Sequence, residues 1–166
     1  MFEEIKITES MKLNAIKKSN DMGVINGSVR KGGGNIIGFM GEELVKSYLK
    51  IGDGNTYQWD LEFNDKKLEV KTKERNVPPK PFYNATVFNW NTKQQCDYYV
   101  FCSVYKDLSK GYICGIIKPD DFYSKAKFAK KGDPDGNYFK FFSDCYNLSY
   151  SELNNISGIE TYDYIL

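Results

Sequence analysis

The chain is predicted to be an α/β protein with a mixed central sheet of four or five strands flanked by helices. Three observations support this fold class. Apolar residues recur at helical spacing between residues 37 and 48, as on the core-facing side of a helix. Apolar and polar residues alternate through 57–73, which is typical of strands with one buried face. Two further apolar runs, 97–105 and 111–117, predict a pair of neighbouring buried strands.

The remaining elements follow from local signals. Residues 3–20 are predicted to form an amphipathic helix with Ile5, Met11 and Ile16 facing inward. Pro119 is expected to begin a helix that runs to about residue 131. Residues 82–90 are apolar enough for a short strand or an ordered loop. Towards the end of the chain we expect a hairpin of 138–142 with 145–148 and a short helix at 151–156.

A chain of 166 residues is long enough for one domain with a sizeable core. We expect a single domain over 1–166. Its parts are an N-terminal helix and Gly-rich linker (1–35), a core (36–131), and a C-terminal hairpin with a short helix (132–166).

Composition excludes several kinds of chemistry. The sequence has no histidine, which rules out Ser-His-Asp and Cys-His catalysis and histidine zinc sites. The net charge of +1 gives no global attraction to nucleic acid, so such contacts must come from local basic patches. The four cysteines are widely spaced without a C-x-x-C pair, which favours free thiols in a reducing compartment. The polar first 20 residues and the lack of a long apolar run predict a cytoplasmic protein without a membrane partner.

The predicted hairpin places charged residues in an unusual arrangement. A two-residue turn at Asn64 and Asp65 would pair the flanking strands so that Asp60 lies opposite Glu69, whereas a turn of three or four residues would shift this register. Carboxylates in this position have Cβ atoms roughly 5 Å apart and repel each other. A divalent cation would remove the repulsion and needs oxygen ligands at that spacing. Lys71 shares the face of Glu69, two residues along. The alternative is an ordinary amphipathic hairpin with a solvated, charged face.

A third carboxylate precedes the hairpin. Glu42 and Glu43 follow Gly41 on the predicted helix. Either glutamate can face the hairpin, because the two lie on opposite flanks of the apolar stripe, and both also suit the beginning of a helix. The helical wheel does not choose between them.

The order of these residues resembles the motif of the PD-(D/E)XK nuclease superfamily, over about residues 36–105. The matching elements are Gly-Glu on a helix, then Asp60, then Glu69-x-Lys71. That group includes many restriction enzymes, archaeal-type Holliday-junction resolvases and phage exonucleases. Trp59 stands where the motif has proline, a position that varies within the superfamily. A Gln-x-x-x-Tyr spacing found in some subfamilies occurs at Gln94 and Tyr98, and again one residue later.

The resemblance implies a restriction-endonuclease-like core and Mg²⁺-dependent hydrolysis of DNA, as in a small endonuclease of phage type. Asp60, Glu69 and the backbone carbonyl of Val70 would bind Mg²⁺, with Glu42 contributing directly or through water, and Mn²⁺ is expected to substitute. Lys71 would position the attacking water, so that the implied catalytic set is Glu42, Asp60, Glu69 and Lys71. A homodimer is plausible, because cutting both strands usually needs two sites.

Basic and aromatic residues supply candidate DNA contacts. The expected phosphate-binding residues are Arg30, Lys31, Lys73, Arg75, Lys80 and Lys93. A second basic cluster follows at Lys125, Lys127, Lys130 and Lys131. Tyr83, Phe88 and Trp90 either belong to the core or contact DNA, by stacking on bases or by wedging into a duplex. Two alternatives to the enzyme stay open: a non-catalytic DNA-binding module on the same fold, and an unrelated interaction protein.

Overall fold

The structure is a computed structural model that describes residues 2–23, 33–54, 59–92, 94–136 and 138–160. Its helices and strands follow one another as β1 (Glu3–Lys6), α1 (Glu9–Met22), α2 (Gly33–Leu49), β2 (Leu61–Phe63), β3 (Lys66–Arg75), β4 (Asn84–Phe88), β5 (Tyr98–Tyr105), β6 (Lys110–Ile117), α3 (Pro119–Lys125), β7 (Lys127–Ala129) and β8 (Cys145–Ser149). Short 3₁₀ turns lie at Asn89–Asn91, Tyr150–Glu152 and Ile156–Glu160.

The strands form two sheets. The larger has five strands in the order β1-β6-β5-β3-β2, and the smaller has three in the order β4-β8-β7. In the larger sheet β3 and β5 run parallel while the other neighbours are antiparallel. The predicted α/β class with a mixed five-stranded sheet is therefore confirmed.

The five-stranded sheet separates two cores. On one face α2 packs through the predicted stripe, in which Met40, Leu44 and Val45 are fully buried, against Leu68 and Val70 of β3. On the other face the smaller sheet covers the aromatic side chains of β5 and α3, with members Ala85, Val87, Tyr99, Phe101, Phe122 and Leu148. Leu68 and Val70 thus point towards the helices, so the alternation of the strand directs Glu69 and Lys71 to the opposite face.

The predicted helix at 3–20 was wrong at its beginning. Residues Glu3–Lys6 form β1, which pairs along β6 and completes the edge of the larger sheet. The helix starts after Thr8, whose side-chain oxygen accepts a hydrogen bond from the Met11 backbone N–H at 3.2 Å. Ile16 is exposed, and Ala15 occupies the inward position instead. Pairing with β6, which lies far away in sequence, overrides the helical pattern here.

Three predictions for the last part of the chain were also wrong. The helix that begins at Pro119 ends at Lys125 instead of about 131, because Ala126 is extended and Lys127–Ala129 pairs with β8. Strand β8 pairs with β4 and β7 rather than with 138–142. Residues 151–156 carry parts of two 3₁₀ turns rather than one helix. Residues 84–88, by contrast, form the short strand that was one of the two expectations for 82–90.

Replacing Gly41 by alanine should destabilise the protein by about 1–3 kcal/mol, because an added Cβ would lie 1.8 Å from the Thr72 hydroxyl oxygen. The matched control is Gly38→Ala in the same helix, where an added Cβ meets nothing within 4 Å among the described residues. That change should be neutral or stabilising, since alanine is the better helix former. Chemical denaturation measures both. Equal effects of the two substitutions would contradict this account of the contact between α2 and β3.

Candidate active site

The β2–β3 hairpin has the predicted register. Phe63 pairs with Lys66, and Leu61 pairs with Leu68. Asn64 and Asp65 form the turn with φ values of 47° and 62°, as a two-residue hairpin loop with left-handed residues requires. Extending this register by one residue brings Asp60 opposite Glu69.

Asp60 directly precedes β2 and extends the hydrogen bonding of that strand to β3. Its backbone N–H donates to the Leu68 carbonyl at 3.0 Å. Its carboxylate oxygen Oδ2 accepts from the Val70 backbone N–H at 2.7 Å. The side chain therefore continues the ladder along the edge of β3 beyond the first residue of β2, and this holds the carboxylate beside Glu69.

Glu69, Lys71 and Gln94 form one hydrogen-bonded group. Lys71 Nζ donates to Glu69 Oε1 at 2.8 Å and to Gln94 Oε1 at 2.7 Å. Gln94 also donates from Nε2 to the Glu69 carboxylate. Glu69 is buried. Gln94 of the Gln-x-x-x-Tyr spacing thus meets the two charged residues of the Glu69-x-Lys71 motif.

Of the two helix glutamates, Glu42 and not Glu43 is the one on which the charges of Asp60 and Glu69 act. Burial and the nearby negative charge of Asp60 raise the pKa of Glu42 to about 8, and Glu69 adds to the effect. Glu43 is buried on the other flank of α2, where it accepts hydrogen bonds from Asn14 and Lys46. The pKa of Asp60 is likewise raised, first by burial and then by the charge of Glu69. The site therefore concentrates acidic groups in a partly buried place.

Lys18 of α1 is a site neighbour that the sequence did not reveal. Its Nζ lies 3.9 Å from Glu42 Oε2 and 2.6 Å from Asp53 Oδ1. Hydrogen bonds from Lys18 and Lys46 lower the pKa of Asp53 to about 2. No spacing in the sequence connects these residues, because the contact depends on how α1 packs against α2.

The oxygen donors at this site decide whether it suits a metal ion. Within the described ranges, no three Asp, Glu or Cys side chains lie close enough together to hold one. Mg²⁺, however, is usually bound through one or two carboxylates together with water and substrate phosphate. Asp60 and Glu69 supply such a pair of hard oxygen donors with like charges side by side, so their chemistry fits Mg²⁺.

The structure treats the expected DNA-contacting residues in different ways. Arg30, Lys31 and Lys93 lie outside the described residues. Lys73 donates from Nζ to the Asn84 carbonyl at 2.9 Å and to Thr86 Oγ1 at 2.7 Å, so that it ties β3 to β4. Burial, followed by the charge of Arg75, lowers its pKa to about 8.

Arg75 and Lys80 differ in whether other protein groups contact their charged ends. The Arg75 guanidinium lies 4.3 Å from the centre of the Tyr83 ring. Lys80 is exposed, with Nζ 5.7 Å from the centre of the Phe82 ring. Lys80 therefore presents its charge to solvent, whereas protein groups engage Lys73 and Arg75. Their contacts with DNA stay predictions.

No protein-family model matches this chain, and a search of curated proteins finds no match. In the parts of the chain that the structure describes, none of the helices combines the length and the apolar character needed to cross a membrane.

Replacing Asp60 by asparagine should stabilise the metal-free protein at pH 8 by on the order of 1 kcal/mol, because it removes a buried charge beside Glu69 and keeps an acceptor for the Val70 N–H. An acid whose pKa is raised in the folded protein destabilises the fold when the pH lies above that raised pKa. The destabilisation disappears when the pH falls below the pKa of the same group in the unfolded chain. The advantage of the variant should therefore shrink as the pH falls through this interval. Denaturation in EDTA measures it, with Glu62→Gln as the exposed control on the same hairpin. A less stable Asp60→Asn protein at pH 8 would contradict this electrostatic account.

Proposed function

We propose that this chain is a Mg²⁺-dependent nuclease with a restriction-endonuclease-like core that hydrolyses phosphodiester bonds of DNA endonucleolytically. The observation that carries the proposal is the fixed position of the Asp60 carboxylate, bonded to the Val70 N–H, beside Glu69 and Lys71. This geometry gives two oxygen donors and one ammonium group on neighbouring strands.

Each residue has a role that its surroundings support. Asp60, Glu69 and the Val70 carbonyl would hold Mg²⁺, with Glu42 contributing directly or through water. When bound, the cation polarises a water molecule and offsets charge on the phosphate. Lys71 orients the attacking water and stabilises the negative charge that develops on the phosphate oxygens.

Gln94 has a positioning role in this scheme. It contacts both Lys71 and Glu69 and so fixes their relative orientation. Preorganised groups of this kind cost no rearrangement at the moment of reaction.

The location of the site in the fold supports access by a nucleic acid. Strand β2 lies at the edge of the five-stranded sheet, and Asp60 directly precedes that strand. The charges of Asp60 and Glu69 act on Glu42 of helix α2. We expect the phosphate to approach from the open side of this edge, and a homodimer would supply the second site for cutting both strands.

One observation favours a second candidate, a non-catalytic DNA-binding module on the same fold. Lys71 is already paired with Glu69 and Gln94, and the described acids do not form a three-membered metal cluster. In such a module the carboxylates would be neutralised by lysines instead of by a cation. The two candidates differ in whether cleavage depends on a divalent ion.

Plasmid nicking and linearisation with Mg²⁺ or Mn²⁺ test the proposal. Asp60→Ala, Glu69→Ala and Lys71→Met should each lower the cleavage rate by about two orders of magnitude or more, because each removes a ligand or a charge that acts on the transition state. Glu62→Gln, on an exposed acid of the same hairpin, should cleave like the wild type.

Cys96→Ser should also leave cleavage unchanged, because burial raises the pKa of this thiol to about 12 and keeps it protonated. Cleavage that persists in all three site variants, or that proceeds equally in EDTA, would refute the enzyme. Binding of DNA without any cleavage would favour the second candidate.

A further inference from the structure

A group of aromatic side chains stands open to solvent near the candidate active site. Trp90 is 59% exposed and Phe142 is 52% exposed. The rings of Trp90 and Phe88 stack with centres 4.7 Å apart and planes at 14°, and the Phe142 ring lies 4.9 Å from that of Phe88. We call these three residues the aromatic stack.

Phe142 connects the stack to a loop with more exposed rings. Residues 130–136 and 138–142, referred to here as the aromatic loop, include Phe139 at 71% exposure and a fully exposed Tyr138. Backbone hydrogen bonds join Gly132 N–H to the Phe141 carbonyl at 2.7 Å and Phe141 N–H to the Asp133 carbonyl at 2.9 Å. The rings are therefore displayed on a hydrogen-bonded frame, although neither core of the protein uses them.

The charge around these rings is mainly positive. Between residues 127 and 142 the sequence has four lysines (Lys127, Lys130, Lys131 and Lys140) and two aspartates. One of these, Asp133, accepts a hydrogen bond from the Lys130 backbone N–H at 2.9 Å. Alternating aromatic rings and cations match a chain of bases and phosphates, since rings stack on bases and lysines pair with phosphates.

The aromatic stack also lies close to the candidate active site along the chain. Trp90 belongs to the 3₁₀ turn Asn89–Asn91, and the Gln94 backbone N–H donates to the Asn91 carbonyl at 3.3 Å. Gln94 in turn bonds Lys71 and Glu69. Four residues span at most about 14 Å, so a strand held on the stack is within reach of the site.

We propose that the aromatic stack and the aromatic loop bind unpaired bases of single-stranded DNA and so direct the site to substrates with a single-stranded segment. The second half of this statement rests on the proposed nuclease function, whereas the binding itself does not. Single strands are favoured over duplex because base pairing and stacking hide the base faces that exposed rings would contact. The backbone hydrogen bond from Gln94 to Asn91 links the turn that carries Trp90 to the Lys71–Gln94 group, so a strand bound on the stack would lie near the scissile phosphate.

Equilibrium binding of a fluorescein-labelled oligo-deoxythymidine in EDTA tests the binding without cleavage. Trp90→Ala and Phe139→Ala should each weaken binding about tenfold, as expected for loss of one stacking contact. Phe82→Ala is the matched control, because this phenylalanine is 69% exposed but lies beyond the opposite end of β4. It should bind like the wild type.

Two further measurements make the test specific. The sequence contains two tryptophans, so Trp59→Phe leaves Trp90 as the single tryptophan. Its emission, excited selectively over that of the tyrosines, should be quenched by the oligonucleotide but not by a blunt duplex. Lys130→Gln with Lys131→Gln should reduce the salt dependence of binding by about one unit of slope per lost phosphate contact.

Equal affinities of the wild type and the aromatic variants would overturn the inference, as would equal binding of duplex. Binding of anionic phospholipid vesicles through the same rings, without oligonucleotide binding, would overturn it in favour of a membrane surface. Ring-dependent oligonucleotide binding by a protein that never cleaves would uphold the surface and refute the nuclease. Cleavage of plasmid without ring-dependent oligonucleotide binding would uphold the nuclease and refute the binding surface.

Discussion

The hydrogen bond from the Val70 N–H to the Asp60 carboxylate is the contact on which the candidate site depends. In the described part of the chain β2 pairs with β3 through Leu61–Phe63, and the Val70 N–H lies beyond this ladder. The Asp60 carboxylate accepts that N–H at 2.7 Å in place of a strand carbonyl. A backbone requirement of the sheet thereby fixes a carboxylate beside Glu69, although the two charges repel each other.

The close approach of α2 brings in the third acid. Gly41 lies directly over Thr72 of β3, with no room for a larger residue, and Glu42 follows it towards Asp60. Burial of Met40 and Leu44 in the first core sets the rotation of the helix. Packing energy on one face of the sheet therefore positions charged groups at its edge, which is how a rigid core can hold side chains of like charge together.

The local parts of this arrangement were predictable from the sequence. The register of the hairpin follows from a period-two pattern and a two-residue turn, both of which depend on neighbouring residues alone. The stripe of α2 is equally local. The choice between Glu42 and Glu43 was not predictable from the sequence. The two glutamates lie on opposite flanks of the apolar stripe, and only the position of β3 distinguishes them. For the same reason Lys18, which approaches from α1, left no signal.

Pairings between distant strands account for the errors. Strand β1 pairs with β6 across more than a hundred residues, and β8 joins β4 and β7 in a second sheet. Short segments of this kind adopt the structure that their partners impose, whatever their own propensity. The second sheet also changes the role of Lys73, whose ammonium group bonds to β4 and is not simply displayed for DNA.

Isothermal titration calorimetry with Mn²⁺ and Mg²⁺ tests the central claim most directly, because it asks whether Asp60 and Glu69 jointly hold a cation. The account predicts saturable binding by the wild-type protein and by Glu62→Gln, and loss of that binding in Asp60→Ala and in Glu69→Ala. Wild-type protein that binds neither ion, or site variants that bind as tightly as the wild type, would contradict it.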